Sequence, residues 1–262
     1  LGLSGLAMYD NTARVHDPVM PHMLTCDKYA SKFPNFSPFS HCAGNPANIL
    51  DPSGNRIVDF YSGCEWKEVN NEWGFYDSNN LPHDGHYEFT TQLSNALKTL
   101  MIHETGKMLV EEIANSSEAI NIAFSVKTHF LKNENEKSIS WNNTDGASAV
   151  PTTEGDIVNP LMNLAHELAH AYSEIKGMEF GFWYMNGTDE VRTSEIFATH
   201  IENKIRAEQS LPLRTYYSVE EGIYKGRIIN KKNGTSLFYD SKEKTTYKKL
   251  KKEQVPFKYG AK

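Results

Sequence analysis

Two histidines four residues apart, with a glutamate directly after the first, form the segment His166-Glu167-Leu168-Ala169-His170. Residues i and i+4 share one face of a helix, so both imidazoles could bind a single metal ion. Glu167 would then face a water on that ion, where a carboxylate can act as a general base. The segment therefore predicts that His166 and His170 are metal ligands and that Glu167 is catalytic.

The residues around this motif predict the helix that must carry it. Asn159 is a suitable N-cap, and Pro160 is favoured at the first helical position. Gly177 is a suitable residue to end the helix. Apolar residues recur at helical spacing between these ends, at Leu161, Leu164, Ala165, Leu168, Tyr172 and Ile175. The pattern predicts a helix that packs along this stripe and carries the two histidines at its edges.

A catalytic zinc site needs a third protein ligand and a position left open for water. In the predicted helical segment from Glu190 to Glu208, Glu195 and Glu202 lie on an otherwise apolar face. Because a buried carboxylate is costly without a partner, each should meet a metal, an arginine or a histidine N–H. We assign Glu195 as the third zinc ligand and place Glu202 beside a ligand histidine or Arg214. Glu190, Glu202 and His200 remain alternatives for the third ligand.

Peptide hydrolysis also needs a group that stabilises the developing oxyanion. Tyr217, Tyr216 or Arg214 could provide it, and our first choice is Tyr217. The alternative is a structural role, with Arg214 paired to Glu202. Trp141 and Asn142, in a predicted strand before the active-site helix, could pair with an extended substrate.

Two segments together resemble a known family. LAHELAHA at residues 164–171 and EIFATHIENKIRAEQSLPLRTYY at residues 195–217 are similar to the paired motifs of NleD-type effector zinc metallopeptidases. The resemblance covers about residues 90 to 218, with a predicted helix near 93–113 and strands near 119–124 and 138–142. It implies a Zn²⁺ cofactor, a protein substrate in a target cell and a zinc endopeptidase activity.

The first 54 residues have a different character, with turn signals at Asp17-Pro18, Asn45-Pro46 and Asp51-Pro52-Ser53-Gly54. They resemble the C-terminal end of an Rhs/YD-repeat core, which encapsulates a variable C-terminal toxin. This resemblance implies a toxin or effector exported from a bacterium as part of a larger Rhs protein, with a cognate immunity protein. We divide the chain into 1–54, the core end, and 55–262, the metallopeptidase-like domain. Whether Asp51–Gly54 is a cleavage boundary remains open.

Composition and charge bear on which kinds of partner this protein has. The formal net charge of −6 gives no basic footprint for nucleic acid, and no apolar run approaches the roughly 20 residues of a membrane span. We therefore expect neither nucleic acid nor membrane as a partner. The three cysteines, Cys26, Cys42 and Cys64, have no metal-ligand spacing.

The expected fold is α+β and zincin-like, with the active-site helix packed on a small mixed sheet behind a short β-rich or irregular Rhs-core remnant. The second hypothesis is a non-catalytic Rhs cargo or binding module with a structural zinc site. A closed structural site has four protein ligands, whereas this sequence offers three and a glutamate placed as a base. That count favours the enzyme.

Overall fold

The computed structural model describes residues 56–260, apart from 84, 134–135, 181–182, 187–188 and 221, and three short strands before them. The chain divides into two compact units, residues 1–52 and 53–262. In the first unit, the three strands pair antiparallel in the order β1 (Tyr9–Asp10), β2 (Val15–Asp17) and β3 (His22–Met23). The Rhs-core prediction and the Asp51–Gly54 boundary fall mostly on residues outside the described ones.

A six-stranded mixed sheet forms the base of the second unit. Its strands are β4 (Arg56–Asp59), β5 (Glu65–Val69), β6 (Glu72–Tyr76), β7 (Ala119–Phe124), β8 (His129–Lys132) and β9 (Lys137–Trp141). Their order is β6-β5-β4-β7-β9-β8, with β4, β7 and β9 parallel and the other pairs antiparallel. Alternate apolar residues such as Ile120 and Ile122 on β7 are fully buried, as expected for a strand that packs under helices. The strands predicted near 119–124 and 138–142 correspond to β7 and β9.

Four helices are present among the described residues: α1 (Glu88–Leu100), α2 (Glu104–Ala114), α3 (Pro160–Ile175) and α4 (Thr193–Glu208). Leucines of α1 and α2, together with Leu164 and Leu168 of α3, are fully buried and form one core with the sheet isoleucines. The observed fold is therefore mixed α+β, as the sequence predicted. No helix in this described part is both long and apolar enough to cross a membrane.

The single helix predicted near 93–113 is wrong, because the chain breaks between α1 and α2. A Cβ on Gly106 would lie only 2.1 Å from the backbone oxygen of Leu100, so glycine permits the tight turn. The N-terminus of α2 is capped from a distant helix. The Glu208 carboxylate of α4 accepts hydrogen bonds from the backbone N–H and the hydroxyl of Thr105. A cap contributed over this sequence distance cannot be inferred from local periodicity.

The predicted ends of α3 are confirmed. The Asn159 side chain accepts a hydrogen bond from the Met162 N–H at 3.1 Å, and Pro160 occupies the first turn. At the other end Gly177 adopts a φ of +62°, and the backbone bonds from Gly177 to Glu174 and from Met178 to Ser173 close a Schellman motif. The helix is buried more completely than predicted, however, because α2, α4 and the sheet surround it.

Helix α4 begins later than predicted. Glu190 and Val191 belong to a strand, and the first helical residue is Thr193. Three hairpins surround this part of the domain: β10 (Ala149–Thr152) with β11 (Gly155–Val158), β12 (Trp183–Asn186) with β13 (Asp189–Arg192), and β14 (Tyr216–Glu220) with β15 (Ile223–Arg227). A small sheet of β16 (Ile229–Asn230), β17 (Thr235–Asp240) and β18 (Pro256–Lys258) supports them over a second apolar cluster.

Candidate metal centre and cleft

Side chains from two helices bring three ligand atoms together. His166 and His170 project from α3, and Glu195 lies in the first turn of α4. Glu195 Oε2 is 3.0 Å from His166 Nε2 and 3.2 Å from His170 Nε2. The three side chains are largely shielded from solvent, with exposed fractions of 7%, 13% and 14% for His166, His170 and Glu195. Both imidazoles therefore face the same carboxylate oxygen.

This arrangement fits a divalent metal. Two imidazole nitrogens and a carboxylate oxygen are zinc's usual ligands in catalytic sites. In a tetrahedral site with bonds of about 2.0–2.1 Å, neighbouring ligand atoms are about 3.3 Å apart, close to the separations seen here. Within the part of the chain that the structure describes, His166, His170 and Glu195 are the one group of three such residues close enough to hold an ion.

The alternative third ligands lie elsewhere. Glu190 is exposed on β13, and His200 is buried on another face of α4, where its Nδ1 lies 2.8 Å from the Tyr259 hydroxyl. Glu202 lies behind the site and contacts His166 from the other side of the ring. The structure thus brings Glu195, and none of these three, against both Nε2 atoms.

Glu202 is the centre of a buried polar network behind His166. Its Oε2 lies 3.0 Å from His166 Nδ1 and accepts a hydrogen bond from Arg214 Nη1 at 2.7 Å. Its Oε1 accepts one from Arg206 Nε at 2.7 Å. Glu202 is fully buried, so it satisfies the sequence expectation that a carboxylate there has a histidine or arginine partner. In the neutral ring, with Nδ1–H donated to Glu202, Nε2 of His166 carries the lone pair that a metal would bind.

Arg214 is held on every side by this network. The Asn203 side chain accepts from the Arg214 backbone N–H at 2.7 Å and donates to its carbonyl at 2.9 Å. The guanidinium also donates to the backbone carbonyls of Tyr216 and Tyr217. The pairing of Arg214 with Glu202, which was the structural alternative, is therefore present, and the side chain connects α4 to the start of β14.

The electrostatics follow from this geometry. Burial lowers the pKa of His166, but the hydrogen bonds that its ring donates to Glu195 and Glu202 outweigh this effect and raise that pKa to about 9. Burial raises the pKa of Glu195, and His166 and His170 more than reverse this, so its pKa lies below the ordinary value. The pKa of Glu202 is also lowered, because Arg214, Arg206 and His166 outweigh the effect of burial. Both carboxylates are anionic at neutral pH.

Glu167 lies between the histidine pair and the edge of the sheet. Its Oε2 accepts a hydrogen bond of 2.7 Å from the backbone N–H of Phe130 on β8, the last strand of the sheet. Lys132 of the same strand pairs with Glu174 of α3, which fixes β8 over the helix. In the described part of the chain, the edge of the sheet that β8 forms therefore runs beside the candidate metal centre.

The prediction that Trp141 and Asn142 offer a free strand edge is wrong. Trp141 ends β9, which is paired on both sides, with β7 and β8, and Asn142 follows the strand. The Trp141 indole instead donates to the Pro160 carbonyl at the start of α3, and the Asn142 side chain donates to the Val126 carbonyl. The edge strand is β8, whose four residues were too short a run to be recognised from the sequence.

A cleft opens over the candidate metal centre. Its lining comes from β8, from the chain before and within β10, from α3, and from the ends of the hairpins: Thr128, His129, Phe130, Ser148, Ala149, Val150, Asn163, His166, Glu167, His170, Arg192, Ser194, Glu195, Arg214, Tyr217, Ser218 and Val219. Tyr217 is half-buried there, and burial together with the Glu195 carboxylate raises the pKa of its hydroxyl. Tyr216 is not among these lining residues and packs against Tyr224.

A glycine allows the two hairpins beside the cleft to approach each other. A Cβ on Gly226 of β15 would lie 2.9 Å from the Cβ atoms of Tyr217 and Val191, and its φ is +65°. Only glycine meets both conditions without strain. This contact sets the spacing between β13, which leads into Glu195, and Tyr217.

Several residues that build the site were not assigned a role from the sequence. Phe130 contributes a backbone N–H, which no side-chain pattern can indicate. Asn203 and Arg206 stand in the Glu202-Asn203-x-x-Arg206 segment, so the spacing that aligns them on α4 was visible. Arg206 donates to Glu202 one turn earlier, but its other partner, Pro212, and the partner of Asn203, Arg214, lie after the helix.

The comparisons with known proteins identify the central part of the chain. The model of the Peptidase_M91 family, described as "Effector protein", matches residues 77–180. No curated protein and no solved structure matches the chain. The matched segment contains His166, Glu167 and His170 and ends before Glu195. The resemblance to NleD-type effector metallopeptidases is thereby confirmed over residues 77–180, which are similar to this family.

Proposed function

We propose that this protein is a zinc-dependent endopeptidase that hydrolyses peptide bonds of a protein in a target cell. It would act as the C-terminal toxin or effector, residues 55–262, of an Rhs-type polymorphic toxin. One observation carries the enzymatic part: His166, His170 and Glu195 converge beside Glu167 in a cleft along a free sheet edge. The Rhs part rests on the sequence resemblance of residues 1–54, which also supports export from a bacterium and a cognate immunity protein.

His166, His170 and Glu195 would hold the zinc ion, with the remaining position open to solvent in the cleft. When bound, zinc supplies Lewis-acid chemistry, since it lowers the pKa of a water molecule and polarises the scissile carbonyl. Three protein ligands with an open position are typical of a catalytic site, whereas a structural site is closed by a fourth. The overall architecture, with the ligand helix packed on a mixed sheet, supports a zincin-like fold.

Glu167 would move the proton. Its carboxylate takes a proton from the attacking water and later gives it to the amine nitrogen that leaves when the C–N bond breaks. The hydrogen bond from Phe130 N–H holds this carboxylate at the sheet edge, where a substrate peptide would run. The proton donor and the bond to be cut would therefore be neighbours.

Strand β8 would bind the substrate in an extended conformation. Among the described strands, β8 has a partner on one side only, and an extended peptide can add to the backbone groups of its other side. The Phe130 N–H points away from β9, because it donates to Glu167. Strand addition would therefore align the scissile bond along α3 without any side-chain specificity.

Tyr217 would donate a hydrogen bond to the oxygen of the scissile carbonyl as negative charge develops there. Its raised pKa keeps the hydroxyl protonated over the pH range in which the protein would work. Arg214 donates to the Tyr217 backbone carbonyl, which fixes the start of β14 against the buried network. Glu202 would act as a positioning residue that orients His166 and its tautomer.

The decisive experiment compares wild type with Glu167→Gln, using metal analysis and cleavage of a denatured test protein. The expected result is one zinc ion per chain in both, with cleavage reduced by about 10²–10⁴-fold in the variant. Glu174→Gln is the matched control, because Glu174 lies on the same helix and also contacts β8, through Lys132. It should cut like the wild type.

Equal cleavage by wild type and Glu167→Gln would remove the proposed base. A protein that binds zinc, cuts nothing and unfolds when the metal is removed would instead support the second hypothesis, a cargo or binding module with a structural zinc site.

A further inference from the structure

We infer that Arg192 is a specificity residue that binds an anionic side chain of the substrate, a carboxylate or a phosphate, next to the scissile bond. The inference rests on the proposed peptidase function and names a feature of its substrates. Arg192 is the last residue of β13 and lines the cleft three residues before Glu195. Its side chain is exposed, so a ligand in the cleft can reach it.

The guanidinium is held in place without being neutralised. It stacks over the ring of Trp183, its cross-strand neighbour in the hairpin, with 4.9 Å between the guanidinium carbon and the ring centroid. Among the described residues, no carboxylate lies within ion-pair distance of Arg192. A cation stacked on an aromatic ring keeps its edge N–H groups free, and these match a carboxylate or phosphate in two-point geometry.

The other charged groups of the cleft are already engaged. Arg214 donates to Glu202 and to two backbone carbonyls, so it has no free edge for a ligand. Glu195 faces the two histidines, and Glu167 accepts from Phe130. Of the arginines that line the cleft in the described part of the chain, Arg192 alone is left for a substrate.

Arg192 also lies on a different element from β8, the edge strand to which the substrate main chain would pair. The backbone of β8 would bind substrate main chain, which is the same for every sequence. Arg192 belongs to the hairpin β12–β13 and enters the cleft with α4 and the ligand Glu195. It can therefore read a side chain while β8 holds the main chain, which supplies the selectivity that the sheet edge lacks.

The test profiles the zinc-loaded protein on a peptide library made from a digested proteome, with cut sites identified by mass spectrometry. Half of the library is treated with phosphatase. Wild type should cut preferentially where Asp, Glu or a phosphorylated residue stands at one fixed position beside the cut. A preference that survives phosphatase treatment identifies a carboxylate, and one that disappears identifies a phosphate.

Variants then assign the preference to Arg192. For two synthetic peptides that carry either the preferred anionic residue or Gln at that position, Arg192→Gln should lower the ratio of kcat/KM values about tenfold, mostly through KM. Arg192→Lys should keep part of the preference, and Arg192→Glu should favour Lys or Arg instead. Lys249→Gln is the matched control, because Lys249 stacks on Tyr184 of the same hairpin but does not line the cleft.

The inference is overturned if wild type shows no preference for an anionic residue beside the cut. It is also overturned if Arg192→Gln has the same ratio of kcat/KM values for the two peptides as wild type. Failure of the proposed function looks different, since zinc-loaded wild type would then cut no peptide at all. In that case binding is tested without cleavage: the Glu167→Gln protein is immobilised, and the library peptides that it retains are identified. If the retained peptides are enriched in anionic residues, and the enrichment is lost when Arg192→Gln is added, the binding role of Arg192 is supported. If the retained peptides show no such enrichment, that role is contradicted.

Discussion

Two buried histidines sit in contrasting surroundings around helix α4. His166 packs on one face of α4 between two carboxylates, each 3.0 Å from a ring nitrogen. His200 lies on another face, stacked at 3.7 Å on Tyr239, with its Nδ1 at the Tyr259 hydroxyl. A carboxylate neighbour, Glu243, is 3.5 Å away, partly exposed and shared with Lys204.

The difference shows what makes a buried histidine fit for metal chemistry. Burial lowers the pKa of both imidazoles. Around His166 the two carboxylates more than compensate, whereas burial prevails at His200, whose pKa stays below the usual value. A site with negative charge arranged on both ring nitrogens also attracts a divalent cation. At His200 the Glu243 carboxylate approaches one ring nitrogen only and is shared with Lys204, so that side chain serves to join α4 to the C-terminal sheet.

The largest effect expected from this comparison concerns the two carboxylates. Glu202→Gln leaves Arg206 and Arg214 as buried cations without a counter-charge, and should lower the free energy of unfolding by about 3–5 kcal/mol. Glu243→Gln removes an exposed partner and should cost at most about 1 kcal/mol. Urea unfolding of both variants tests the contrast. A Glu202→Gln protein as stable as Glu243→Gln would contradict the central role of the buried network.

A smaller effect should appear in the pH dependence of stability. His200 is faced by Glu243, Lys204, Tyr239 and Tyr259, and it resists protonation in the folded protein. Its folded pKa is depressed, so below about pH 6.5 the unfolded chain binds a proton that the folded chain does not.

Stability should therefore fall as the pH drops below 6.5, with a slope of at most about 1.4 kcal/mol per pH unit from this residue. Unfolding curves of wild type and His200→Gln between pH 5 and 7 measure it. In the variant, the free energy of unfolding should fall less steeply as the pH drops below 6.5. Equal slopes in the two proteins would show that another group is responsible.

The smallest effect concerns the hydroxyl that bonds to His200. Tyr259→Phe removes a neutral hydrogen bond in a buried site and should cost about 1 kcal/mol. Tyr224→Phe is the control, because the Tyr224 hydroxyl is exposed and its contact with Asp156 is long, at 3.4 Å. Thermal unfolding should separate the two variants, and zinc content should be unchanged in both. Loss of zinc from Tyr259→Phe would mean that the two faces of α4 are coupled.

Much of the α3 region could be predicted because its signals are local. The cap at Asn159, the proline that follows it and the stop at Gly177 each act within one helical turn, and the i, i+4 spacing places both histidines on one face. The partners expected for Glu202 were also correct, since a carboxylate on an apolar face must be compensated. By contrast, the break between α1 and α2 was missed, and the Glu208 carboxylate that caps α2 at Thr105 lies 103 residues away along the chain.

The sequence by itself determined the chemical groups and their order on each helix, namely His166, Glu167 and His170 on α3 and Glu195 and Glu202 on α4. These follow from helical periodicity, which is a property of the local backbone. The tertiary structure decided which carboxylate meets the imidazoles, that β8 and not β9 forms the edge, and that Arg192 is left without a counter-charge in the described part of the chain. Those outcomes depend on how helices, sheet and hairpins pack together, and packing brings together groups whose separation along the chain carries no periodic signal.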